Sequence, residues 1–262
     1  MKTRDHGVPG SDRRASSRQR KSYLVLGCKP WNRRIFDDSL RILPGRWTYL
    51  DSREGLTLDF VRELSPRYIF FLHWSWKVPD DLVDGYECVC FHMTDVPYGR
   101  GGSPLQNLIV RGHRETKLTA LRMSREFDAG PVYMKQLLLL EGGAEEIYWR
   151  AARLSAEMIQ SIIQREPKPV DQRGEVVNFK RRKPEESELG NSASLPVSLE
   201  ALYDFIRMLD AEGYPRAFLE QAGFRFEFSR PALYEGRIVA DVKITRGEKP
   251  HVKSASKKGR AQ

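Results

Sequence analysis

Apolar residues fall along this chain in two kinds of pattern. Tyr23–Gly27 (YLVLG) and Tyr68–Leu72 (YIFFL) are apolar at consecutive positions, as strands buried on both faces of a parallel sheet are. Tyr86–Phe91 has the same character, and Arg46–Leu50 fits a further strand. Helical stretches lie between them. One carries Ile35 and Leu40; another covers Leu56–Leu64 and ends at Ser65-Pro66, because the residue before proline avoids the helical region. A loop rich in Gly and Pro spans Met93–Ser103, Pro104 opens a short helix, and Thr116–Met123 and Val132–Leu140 read as two more strands. Over 144–165, Ile147, Ala151, Leu154, Met158 and Ile162 recur at helical spacing, with Glu145 and Glu146 at the positive end of the helix dipole.

A polar connector covers 171–197. Ser198 then stands where it can cap a helix with the stripe Leu199, Leu202, Ile206 and Leu209. Gly213-Tyr214-Pro215 breaks that helix, and Phe218–Lys243 alternates as two or three antiparallel strands, with Phe224, Phe226 and Phe228 opposed to Arg225, Glu227 and Ser229. The apolar side of that alternation fits either a homodimer surface or the inner face of a sheet. The whole pattern predicts an α/β layered domain over 22–170 with a mainly parallel sheet, and a small helix-and-strands appendage over 198–246.

Charge changes the picture only at the ends. The 262 residues hold 44 Lys+Arg and 35 Asp+Glu, a formal charge of +9. Residues 1–21 carry seven basic and two acidic side chains and 247–262 carry five and one, so 22–246 are formally neutral. Both ends are predicted to be disordered basic tails, and the neutral body gives no reason to expect nucleic acid as a partner. No run approaches the roughly 18 apolar residues of a membrane span. The N-terminus lacks a secretory h-region, so a cytoplasmic location is expected. Cys28, Cys88 and Cys90 lack zinc-site spacing and read as reduced thiols, and no metal is expected.

Neither a GxGxxG nor a GxxxxGK[ST] loop is present; Gly27-Cys28-Lys29-Pro30 follows the first strand instead. His92 ends an apolar strand, where open parallel sheets place ligand crevices, and His73 ends another. Asp128, in Phe127-Asp128-Ala129-Gly130, lies between two predicted strands. Brought against His92, its carboxylate would fix the imidazole tautomer and prepare the ring as a base.

The stretch FHMTDVPYGRGGSPLQNLIVRG (91–112) resembles the HxSxLPxxRGxxPxxxAIxxG of the formyltransferases that use 10-formyltetrahydrofolate. His92, Pro97, Arg100-Gly101, Pro104, Gln106 and Gly112 align without a gap. Thr116 through Asp128-Ala129-Gly130 is similar to the family's GxTxxxxxxxxDxG, and Gln172, Gly174 and Glu175 to its QxGE. The resemblance implies a Rossmann-like formyltransferase domain, N-formyltransferase activity, and 10-formyltetrahydrofolate as co-substrate. It maps the catalytic histidine and aspartate onto His92 and Asp128. It maps an asparagine onto Cys90, and a thiol is a poor donor to a developing oxyanion. Ser103, Asn107 and His73 are candidates to replace that donor.

By the same resemblance the pterin would lie against Thr94, Asp95, Val96 and Pro97 and the strand edge Trp74, Ser75, Trp76 and Val78. Arg100, Asn107, Arg181 and Arg182 would contact the acceptor, the two adjacent arginines being suited to a diphosphate. The motif variant is similar to members that act on 4-amino-deoxysugar nucleotides in surface-polysaccharide or nonulosonic-acid biosynthesis. A nucleotide-linked amino sugar is therefore the expected partner. The alternatives are another amine (methionyl-tRNA or hydroxyornithine) or a degenerate folate-binding homologue without catalysis.

Overall fold

The computed structural model describes residues 20–190 and 197–247. The predicted basic tails lie outside these residues, apart from Arg20, Lys21 and Gly247 at their inner ends. In chain order the first elements are β1 (Ser22–Gly27), α1 (Pro30–Ile35) continued by one wide turn at Phe36–Leu40, β2 (Arg46–Leu50), α2 (Leu58–Leu64), β3 (Tyr68–Leu72), α3 (Asp80–Gly85) and β4 (Cys88–His92). There follow β5 (Tyr98–Gly101), α4 (Pro104–Val110), β6 (Glu115–Arg122), β7 (Val132–Leu139), α5 (Ala144–Arg165) and β8 (Val177–Phe179). The appendage contributes α6 (Leu199–Arg207), β9 (Phe218–Gln221), β10 (Phe224–Tyr234) and β11 (Arg237–Arg246).

The main sheet has the order β2-β1-β3-β4-β6-β7. Its first four strands run parallel, and β6 and β7 close it as an antiparallel hairpin. Consecutive apolar positions have the consequence expected of them. Tyr23 and Val25 of β1 face one core, shared with α1, α4 and α5, while Leu24 and Leu26 face another, under α2 and α3. The long helix α5 buries Ile147, Ala151, Met158 and Ile162. Side chains cap the helix starts, with Thr57 Oγ1 accepting from the amide of Phe60 at 3.2 Å and Ser198 Oγ from that of Ala201 at 3.2 Å.

Three features depart from the pattern read in the sequence. β4 begins at Cys88, because Tyr86 closes the unforeseen helix α3, which buries only Leu82 and so carries no apolar stripe. The loop at 93–103 contains β5, which pairs in parallel with β8 from the stretch read as a connector. The third concerns the appendage. Phe205, Ile206 and Leu209 join Leu105 and Leu108 in the main core, and the apolar side of β10–β11 is divided, with Phe228 packed against that core while Phe224, Val242 and Ile244 stay exposed.

Candidate active site

His92 is the last residue of β4 and is buried. Its Nδ1 lies 3.4 Å from Asp128 Oδ1, and its Nε2 lies 2.8 Å from the carbonyl oxygen of Gly99. Both partners are acceptors, so each contact is a hydrogen bond when the nitrogen facing it carries a proton. Asp128 reaches the ring from the β6–β7 connection, with φ +54° in the left-handed region that Asp tolerates better than most residues. The turn must be tight: a Cβ on Gly130 would stand 1.9 Å from the carbonyl oxygen of Arg122. That clash explains the DxG spacing.

The carboxylate is held from behind. Its Oδ2 accepts the amide of Gly101 at 3.0 Å. The Gln172 side-chain amide donates to the carbonyls of Asp128 (2.7 Å) and Gly130 (2.8 Å), and its oxygen accepts from Arg100 Nε at 3.1 Å. Gly101, at φ +101°, lets β8 close in, since a Cβ there would meet the Phe179 carbonyl at 2.6 Å. The RGG run is thus a backbone requirement of the β5–β8 pairing.

Cys90 lies two residues before His92 on the same strand face, level with Phe71 and Leu121. Burial, and after it the Asp128 charge, push its thiol well above the usual range, so it stays protonated. Asn107 and Ser103, considered as replacement donors, both bond to backbone groups around them. The Asn107 amide donates to the carbonyls of Gly102, Ser103 and Lys180 at 3.0–3.1 Å, and Ser103 Oγ accepts from the amide of Arg182 at 3.0 Å. Both anchor the segment after β8. Arg100 turns to Gln172 and Glu126. The Arg182 guanidinium lies over the Phe205 ring at 5.8 Å and donates to the Glu186 carbonyl.

His73 pairs through Nε2 with the hydroxyl of Tyr214 and sits edge-on to Trp31 and Tyr148. Burial, with the charges of Lys29 and Arg181 adding to it, pulls this imidazole down to about 3, so it is neutral. Lys29 Nζ stands 4.6 Å from the centre of the Tyr214 ring. Reading the sequence missed Lys29, Tyr214 and the clamp role of Gln172; the Gly213-Tyr214-Pro215 signal read only as a helix break.

After His92 in the chain, Thr94, Val96 and Pro97 are buried, so it is their backbone that can border a ligand. Asp95 is tied to Lys117 (3.0 Å) and Lys135, and Lys135 also donates to the carbonyl of Val96. Trp74 and Trp76 meet edge to face with centroids 4.8 Å apart, and Val78 is buried beside them in the α2–α3 core. Ser75 Oγ lies 3.6 Å from Cys28 Sγ. The Trp74 Nε1 is buried with no partner among the described residues, an orphan donor that costs roughly 1–3 kcal/mol until an acceptor reaches it. Among the described residues no three His, Cys, Asp or Glu side chains gather to hold a metal ion, and no helix is long and apolar enough to cross a membrane.

Fold and site define the class: a mostly parallel, Rossmann-like α/β protein with a histidine–carboxylate pair at the carboxyl end of an inner strand of its sheet. Comparison with known proteins narrows it. Residues 184–245 match the family described as "Methionyl-tRNA formyltransferase, C-terminal domain". The solved methionyl-tRNA formyltransferase from Clostridium thermocellum is 41% identical, covering 87% of this chain and 100% of that one, with a TM-score of 0.81. The chain belongs to the formyltransferase family. A curated relative, the methionyl-tRNA formyltransferase of Rickettsia felis, is 26% identical over 140 residues, which are 52% of this chain and 45% of that protein. The chain thus spans about half the length of the curated relatives it matches. A protein from Mycobacterium tuberculosis described as a candidate sugar N-formyltransferase shares the fold, at 18% identity over 88% of this chain and 100% of that one, with a TM-score of 0.62.

Proposed function

We propose that this protein transfers the formyl group of 10-formyltetrahydrofolate to a primary amine, with His92 carrying the proton. The observation that carries this reading is the contact of His92 with Asp128, made at the strand end where the family motif places it. The donor supplies an activated formyl carbon. Asp128, aimed by the Gly101 amide and by Gln172, holds Nδ1 and stabilises the ring once it has taken the amine's proton. Nε2, which meets the Gly99 carbonyl in the free protein, is the nitrogen through which that proton passes. The unpartnered indole N–H of Trp74, walled by Trp76, offers a donor to a pterin heteroatom, and by the family resemblance the Thr94–Pro97 backbone would border the pterin as well.

For the acceptor, the 41% identical relative matched along its whole length favours methionyl-tRNA over the nucleotide-linked amino sugar expected from the sequence. Lys29 and Arg181, converging on the His73–Tyr214 pair, supply cations for a phosphate-bearing acceptor. A nucleotide-linked 4-amino sugar is the second reading, supported by the formally neutral body, which lacks the basic surface that a tRNA calls for. The test offers 10-formyltetrahydrofolate with methionyl-tRNA, or with a panel of amino-sugar nucleotides, and follows product mass. Formyl-methionyl-tRNA, absent with His92→Ala, is the expected result. Formylation of a sugar nucleotide alone moves the acceptor to the second reading, and no formylated amine in any arm sinks the transferase.

A further inference from the structure

A formyl-transfer intermediate carries a negative oxygen, and the strand position beside His92 offers it the protonated Cys90 thiol, a poor donor. The next strand does better. Phe71 pairs with Cys90, so His73 and His92 lie two residues beyond that pair at the same end of adjacent strands. His73 sits at φ +47°, the left-handed region that Asp128 also occupies and few residues other than glycine adopt. Strain of this kind gathers at functional sites. A relay of side chains orients the ring. Gln106 Nε2 donates to the Met208 carbonyl and to the Tyr148 hydroxyl, each at 3.0 Å. Tyr148, accepting there, sends its own hydrogen to the Tyr214 oxygen, and Tyr214 sends its own to His73 Nε2. The reverse sense would leave the buried Tyr148 hydrogen without an acceptor among the described residues. An imidazole that is neutral and accepts at Nε2 carries its hydrogen on Nδ1. That nitrogen has no partner among the described residues and is not one of the sealed-in orphan atoms.

We propose that the Nδ1–H of His73 holds the formyl oxygen as it turns negative, the task an amide would perform at the Cys90 position, which makes His73 a catalytic residue of the transfer proposed above. The amine's lone pair forms the new C–N bond while the carbonyl pair moves to oxygen. That oxygen accepts a hydrogen bond from Nδ1 and leaves the proton there. The pair then returns, the bond to the folate nitrogen breaks, and that nitrogen leaves with the proton His92 took from the amine. A histidine kept neutral suits this part, because it gives a hydrogen bond and stays out of the proton traffic. Lys29, 4.6 Å from the Tyr214 ring centre, and Arg181 put positive charge on the same side. That charge keeps the ring neutral and favours a negative oxygen beside it. The Asn107 amide, by contrast, is spent on three carbonyls.

Two measurements test this on the full chain. In the free protein, long-range proton–nitrogen NMR is expected to show His73 neutral with its hydrogen on Nδ1, and Tyr214→Phe to let that hydrogen move to Nε2. A wild-type hydrogen on Nε2 overturns the proposal whatever the acceptor of the enzyme. In kinetics, His73→Phe keeps a ring beside Trp31 and Tyr148 but has no donor. It is expected to lower kcat about 10²-fold with KM little changed for either substrate. His73→Gln keeps a donor and should retain most of the turnover. Cys90→Asn added to His73→Phe supplies a donor from the other strand and should raise kcat about 10²-fold, more than the same change gives the wild type. A lost fold cannot be repaired from Cys90, so that rescue separates a donor from a structural part. Transfer undiminished in His73→Phe, or a loss that neither His73→Gln nor Cys90→Asn repairs, overturns the role of His73 alone. A wild type that formylates no amine removes the transferase reading and this role with it.

Discussion

Around His92 the imidazole meets a carbonyl at one nitrogen and a carboxylate at the other, and a glutamine in turn steers that carboxylate. Removing the base and loosening its support should therefore look different. His92→Ala is expected to abolish formyl transfer while folate still quenches tryptophan fluorescence. Gln172→Ala leaves the base in place with Asp128 poorly aimed, and a misplacement of this kind lowers turnover by about 10²-fold. Steady-state kinetics should show that loss in kcat more than in KM. Cys90 offers the opposite change. Cys90→Asn installs an amide donor beside Asp128 and is expected to raise turnover by about tenfold or more, since one oxyanion donor is worth roughly 10²–10³. Unchanged turnover would mean that the oxyanion is already held from elsewhere.

His73 makes a pH prediction. Its folded-state imidazole titrates at about 3, below the ordinary 6.5. Between those values the unfolded chain takes up a proton that the folded chain refuses, so the contribution is whole above 6.5 and is lost as the pH falls towards 3. Urea midpoints should fall on acidification through that window, and fall less steeply in His73→Gln, which keeps a polar partner for Tyr214.

At the scale of elements, glycines decide where strands and turns close. Gly130→Ala drives a methyl into the backbone of β6, and no rotamer relieves the clash. Loss of the Asp128 turn is expected, seen as lost activity with a lowered melting temperature. The same scale explains what could be read in advance. α5 was legible because its stripe repeats within one segment, and His92 because it ends a strand apolar at every position. β5 and β8 were not, being four and three residues long and specified by each other across most of the domain. Gln172 and Tyr214 were obscure for the same reason, since their partners lie 44 and 141 residues away along the chain. Local periodicity carries no trace of such contacts.

For the whole molecule, the join between the appendage and the α/β layers runs through Arg207. Its guanidinium, 2% exposed, donates to Asp204 at 2.6 Å and to the carbonyls of Leu140 (2.6 Å) and Gly142 (2.8 Å). Arg207→Met leaves Asp204 with Arg114 alone and orphans two carbonyls, and a loss of about 3 kcal/mol is expected from urea unfolding. Because α6 shares the main core, calorimetry on the wild type should show a single cooperative transition for both parts.

The partnership of β5 with β8 has a temporal side. A nascent chain exposes His92 and Asp128 long before the ribosome releases Gln172 and Phe179, the residues that brace them. Until that late stretch emerges, Gly101 has no neighbour to lie against and the aspartate's turn has no amide clasp. The His92–Asp128 pair is thus completed near the end of synthesis of the α/β body, by the segment that a reading of local pattern sets aside as a mere connector.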